Sequence, residues 1–127
     1  MTVFEFDGIK LNLKFDLGAL FRMDEEVCDL SELFAMYRSG ENPVRYKADT
    51  FIKTLKVAAI LAEAGKTDPP VTYENLRDAL NDAPGQVILL QGAIMKAVGD
   101  SMDTRVKKEG PRDLVLEQLD MESGKNA

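Results

Sequence analysis

The sequence contains no histidine, a single cysteine and no apolar run long enough to cross a bilayer. Each absence excludes a class. Without histidine the chain lacks the commonest general base near neutral pH and the commonest transition-metal ligand. Cys28 has no partner for an internal disulfide, which suits a reducing compartment. With no histidine to act as its base, it reads as a structural cysteine rather than a nucleophile. A membrane-spanning helix needs about 20 apolar residues, and the N-terminus lacks the basic-then-apolar layout of a secretory signal. A cytoplasmic protein with no membrane partner is therefore expected. Ser31, Ser39 and Ser101 stand in no Gly-x-Ser-x-Gly elbow, and glycine-rich phosphate loops do not occur. These gaps predict a protein that is not an enzyme and uses no cofactor.

What is present suits one domain. The 127 residues are 45% hydrophobic and 30% charged, ordinary values for a globular protein. Asp and Glu number 22 against 16 Lys and Arg, a formal charge of −6. Such a surface repels phosphate backbones, so no nucleic-acid partner is expected. The densest carboxylate cluster is Asp24-Glu25-Glu26 with Asp29 and Glu32. As a site for a hard cation it lacks the glycine turn and the loop carbonyls that such sites use. A solvated helix face is the simpler reading, and no metal is expected. The basic stretch RVKKEGPR, with Arg105, Lys107, Lys108 and Arg112, has no interleaved aromatics to stack on bases and reads as a solubilising tail. Met23, Met36, Met95 and Met102 fall in or at the ends of expected helices, mostly as core fillers.

The chain opens on VFEFDGIKLNLKFDLGAL. Asp7-Gly8 is a pair favoured by the two-residue type I′ hairpin turn. That turn would set Phe6 opposite Ile9, Phe4 opposite Leu11 and Thr2 opposite Leu13. Past it, Ile9, Leu11, Leu13 and Phe15 alternate with Lys10, Asn12 and Lys14, so one face is apolar and must pack on something. Asp16 then stands as the N-cap of a helix from Leu17 to Glu26 or Val27, with Phe15 and Leu20 as its staple. A short helix is expected over Leu30–Arg38, and SGENPVRYK (Ser39 to Lys47) reads as a loop. The longest helix runs from about Ala48 to Ala64 and is closed by Gly65. Thr72 caps another helix in VTYENLRDAL, and a last firm helix covers Gln86 to Met102. The fold class predicted is α+β and mostly helical, an N-terminal β-hairpin packed on four to five helices. Residues 1–102 form the domain, and 103–127 a charged, partly flexible extension with a short amphipathic helix at 112–121, where Leu114, Val115 and Leu119 are apolar.

The order of these pieces resembles the tail assembly chaperones of long-tailed bacteriophages and prophages. The resemblance covers about Ile9 to Met102. It is carried by KLNLKFDLGAL, MDEEVCDLSEL, TLKVAAILAEAG, DPPVTYENLRDAL and a closing helix that finishes in GDSM. The chain departs from the family pattern in the length of SGENPVRYK and in the extension after Met102. The resemblance implies a non-enzymatic protein of the bacterial host cytoplasm that binds the tape measure protein, helps recruit the tail tube protein and forms homo-oligomers. A small phage structural or adaptor protein retained in the particle shares the same compositional features. The two Leu/Ala-rich helices look apolar over more of their girth than the other elements can cover. Leu55, Ala59, Ala62, Leu90, Ile94 and Met95 are therefore the expected partner-binding residues.

Overall fold

The computed structural model of the chain describes residues 1–38 and 43–102. Strands β1 (Thr2–Phe6) and β2 (Ile9–Leu13) pair antiparallel in a two-stranded sheet. Asp7 and Gly8 turn the chain with φ of 51° and 85°, the positive values that a type I′ turn requires. Thr2 lies opposite Leu13, Phe4 opposite Leu11 and Phe6 opposite Ile9, the register that the turn chemistry imposes. Phe4, Leu11, Leu13 and Phe15 are buried, while Phe6 and Ile9 near the turn are partly covered. An isolated hairpin is marginal in water, and here the apolar face rests on helices.

Helix α1 (Leu17–Glu26) starts where Asp16 accepts the Ala19 N–H at 2.8 Å. In α2 (Leu30–Tyr37) Asp29 does the same for Glu32 at 2.7 Å. Pro43–Tyr46 forms a 3-10 turn inside the stretch that reads as loop. Helix α3 (Ala48–Ala64) follows, then α4 (Tyr73–Ala79) and α5 (Gly85–Ser101). The N-terminus of α4 carries a reciprocal capping box: Thr72 accepts from the Asn75 N–H, and the Asn75 side chain accepts from the Thr72 N–H. The α+β, mostly helical class is thus the observed one, with five α-helices among the described residues. The extension 103–127 and its expected helix at 112–121 lie outside them.

Helix α3 is the axis. It touches α1, α4, α5, β2 and the 3-10 turn, and α5 in turn packs on both strands. Val57, Ala58, Leu61 and Ala62 on α3 and Leu90 and Ile94 on α5 have no exposed surface. Thr2 Oγ1 is buried without a partner among the described residues, but the polar side chains buried between the helices are paired. The Thr54 hydroxyl donates to the Thr50 carbonyl at 2.7 Å, and the Tyr37 hydroxyl lies 2.6 Å from the Thr54 oxygen. Thr50 donates to the Val44 carbonyl at 2.7 Å, tying α3 to the 3-10 turn. Fully buried Gln91 is held from 46 residues away, donating to the Arg45 carbonyl at 3.0 Å and accepting from Arg45 Nε at 3.2 Å.

The free edge of β2 is also satisfied. The Asn12 N–H donates to Thr67 Oγ1 at 2.9 Å and the Lys14 N–H to the Leu61 carbonyl at 3.1 Å. An open strand edge would invite pairing with another chain, and the C-terminal end of α3 closes this one. Because the caps position the helices against the hairpin, Asp16→Ala is expected to cost about 1 kcal/mol, read as a melting temperature several degrees lower. An unchanged midpoint would show that α1 does not depend on this cap.

Candidate functional site

The Leu/Ala-rich helices do not present the surface expected of them. Leu55, Ala62, Leu90 and Ile94 are core residues of the chain itself, Leu55 keeping only a sliver of surface. Ala59 and Met95 are half-buried against the same core. The expectation fails because α3 is wrapped by the hairpin, α1, α4 and α5 together, and their combined footprint covers its girth. As a partner-binding set the six residues are corrected: four are inside.

The unburied apolar side chains stand elsewhere. On α1, Ala19 and Met23 face the core while Leu17 and Phe21 are 67% and 64% exposed. They are four residues apart and share a side of the helix. On α5, Leu89 is 60% exposed, on the side where Gly92 and Gly99 are also exposed. On α3, Ile52 is 41% exposed. The signal for α1 was in the sequence: apolar residues at 17, 19, 20, 21 and 23 exceed what one stripe needs. Single exposed apolar residues are ordinary, but an aromatic and a leucine side by side on a short helix form a patch.

Beside this lies a groove along α3. Its apolar end, a cavity of about 260 Å³, is floored by Phe51, Ile52, Leu55, Leu80 and Val87. Its polar end, about 400 Å³, is lined by Arg22, Glu26, Lys56, Ala59 and Glu63. Tyr73 lines both. Lys56 Nζ lies 5.6 Å from the Tyr73 ring centroid and Arg77 Cζ 6.0 Å from it. A cation over a tyrosine face is held by the ring quadrupole. Neither cation makes an ion pair among the described residues, although Arg22 bonds Glu26 at 3.2 Å and Glu63 at 2.7 Å, linking α1 to α3. Hydrogen bonds to Glu26 and then Glu63 raise the Arg22 pKa further above its usual value.

The acidic cluster disperses into structural work. Asp29 caps α2, Glu26 pairs with Arg22, and Glu32 takes Lys53 at 2.7 Å, bridging α2 and α3. These pairs are partly or largely solvent-exposed and contribute about 0–1 kcal/mol each. Among the described residues no group of three or more Cys, Asp or Glu gathers to hold a metal ion. Likewise no helix there is long and apolar enough to cross a membrane.

Cys28 is buried, and burial, with the nearby Glu32 carboxylate as a lesser cause, pushes its thiol up from 9.0 to about 11. The folded state therefore holds this proton more tightly than the unfolded chain does. Its contribution to stability is complete below about pH 9 and is lost as pH rises through about 11. Reaction with a disulfide reagent at pH 8 is expected to be at least tenfold slower in the native protein than in denaturant. Equal rates would place Cys28 at the surface.

The chain matches no protein-family model, no curated protein and no solved structure.

Proposed function

We propose that this protein is a non-enzymatic assembly chaperone of a long-tailed bacteriophage or prophage, which binds the tape measure protein and helps recruit tail tube subunits in the bacterial cytoplasm. The observation that carries the reading is the outward pair Leu17 and Phe21. It lies within FDLGALF, where a hairpin runs into a capped helix, in one of the stretches that carry the resemblance. A protein that shields a long apolar helix before assembly needs apolar side chains in solvent on a scaffold that is otherwise acidic and soluble. Leu17 and Phe21 on α1, with Leu89 on α5, supply them, and the net charge of −6 opposes self-precipitation. An amphipathic partner helix meets such a surface through residues spaced three and four apart. The absence of histidine agrees with a role in binding rather than turnover.

The test is co-expression with the longest helix-rich product encoded beside the gene, followed by purification at low and high salt. An apolar contact survives 1 M salt, where the Debye length falls to about 3 Å and ion pairs weaken. Retention at both salts, together with absence of this protein from gradient-purified particles, is the expected result. Its presence in those particles would favour a retained structural or adaptor protein. Failure to co-purify at either salt would remove the chaperone reading.

A further inference from the structure

We propose that the free edge of β1 pairs antiparallel with β1 of a second copy, joining the two hairpins into one continuous sheet about a twofold axis at Phe4. The proposal does not depend on the chaperone reading and uses none of the exposed apolar residues of α1. It starts from the alternation of backbone groups along the hairpin. In an antiparallel pair, opposed residues either exchange both hydrogen bonds or turn their groups outward. The closed edge of β2 shows which residues do which. Asn12 donates outward to Thr67 at 2.9 Å, and Lys14 outward to Leu61 at 3.1 Å. Val3 stands opposite Asn12 and Glu5 opposite Lys10, so the N–H and C=O groups of Val3 and Glu5 also point away from the hairpin. Among the described residues nothing bonds them, and the sheet has no third strand. Nor does β1 carry the devices that blunt an edge. TVFEF has no proline and no lysine, its pairs with β2 run one to one without a bulge, and Val3 is 49% exposed.

These groups specify their occupant. Val3 and Glu5 each offer one donor and one acceptor, and an identical strand running the opposite way offers the complement. The positions of these residues fix the register. With Val3 opposite Glu5 of the second copy, and the reverse across the axis, every outward group of both strands finds a partner. A shift setting Glu5 opposite Glu5 would bring two carboxylates together and leave groups unpaired. In the favoured register each Glu5 lies beside a valine and keeps Lys10 across its own hairpin. Thr2, Phe4 and Phe6 stay on the side that already rests on the helices, with the two Phe4 residues adjacent at the axis. Such a contact is isologous and closes at two copies.

The experiment uses the full chain. Sedimentation equilibrium should give a dimer that dissociates on dilution. In a mixture of isotopically labelled and unlabelled chains, a filtered NOE should join Phe4 Hα of one copy to Phe4 Hα of the other, since opposed residues of this kind have Cα atoms about 4.5 Å apart. Val3→Pro deletes an outward N–H and leaves the ladder to β2 whole, so it should raise the dimer dissociation constant at least tenfold. Leu17→Asp/Phe21→Asp should leave that constant unchanged, which separates this contact from the surface proposed for the tape measure protein. The NOE is read on the wild-type chain and decides the matter even if the proline variant fails to fold. A monomer at millimolar concentration would overturn the proposal. So would a dimer without the Phe4 contact, or one weakened through Leu17 and Phe21 instead of Val3. Slow exchange of the Val3 and Glu5 amides in a strict monomer would overturn it too, because the edge would then be covered within one molecule.

Discussion

Adding one methyl group at Gly65 is expected to destabilise the fold by about 3 kcal/mol, at the upper end for overpacking. A Cβ there would lie 1.8 Å from the Asn12 carbonyl oxygen and 2.7 Å from its carbon. Both are backbone atoms, so no side-chain rotation relieves the clash. Either β2 or the end of α3 must move, and with it go the bonds from Asn12 to Thr67 and from Lys14 to Leu61 that close the strand edge. Conformation is not the issue, since Gly65 has φ of −85°, which any residue adopts. The control is Gly92→Ala on α5, where a Cβ meets nothing within 4 Å. There the change should stabilise by up to about 1 kcal/mol through helix propensity. Urea midpoints of the two variants should therefore move in opposite directions. A Gly65→Ala midpoint equal to wild type would mean that the hairpin does not rest on α3 as described.

Ile94→Ala is expected to cost about 2–5 kcal/mol, the range for emptying a fully buried aliphatic site. This residue decides between two readings of the same helix. If α5 offered Ile94 to a partner, truncation would leave the isolated fold nearly as stable as before, within about 0.5 kcal/mol. Buried between α3 and the hairpin, Ile94 instead leaves a cavity that its neighbours fill only in part. The cost should appear in denaturant unfolding of the free protein, with no partner present. A loss below about 1 kcal/mol would return Ile94 to the surface.

How far the sequence could be read varied with the range of the interaction that decides each feature. The hairpin register, the caps at Asp16 and Thr72 and the extent of α3 all follow from residues within a few positions of one another. Asp7-Gly8 alone sets the pairing of five residues on each strand. The 3-10 turn at Pro43–Tyr46 was hidden because its partners are Thr50 on α3 and Gln91 on α5, and the latter contact spans 46 residues. Gly65 was legible as a helix end, but its stronger constraint, the approach of the Asn12 backbone, is a contact between distant parts of the chain.

The partner surface misled for a related reason. Apolar girth on α3 and α5 looks like excess until five other elements are wrapped around them, and burial of Leu55, Ala62, Leu90 and Ile94 is the sum of those contacts. The apolar run of α1 is wider than one stripe, but only the packing shows that Ala19 and Met23 face inward and that Leu17 and Phe21 do not. Tyr73 with Lys56 and Arg77 was equally hidden. Arg77 is on the same helix as Tyr73, but Lys56 arrives from α3.

The most direct measurement of the proposed binding role is co-purification of the neighbouring helix-rich product with wild-type protein and with the Leu17→Asp/Phe21→Asp variant. Both residues are largely in solvent, so the variant should unfold at the wild-type denaturant midpoint, and the comparison is then one of binding alone. Capture by wild type at low and high salt, with at least a tenfold loss in the variant, is the predicted result. Equal capture by the two proteins, or no capture by either, would contradict it.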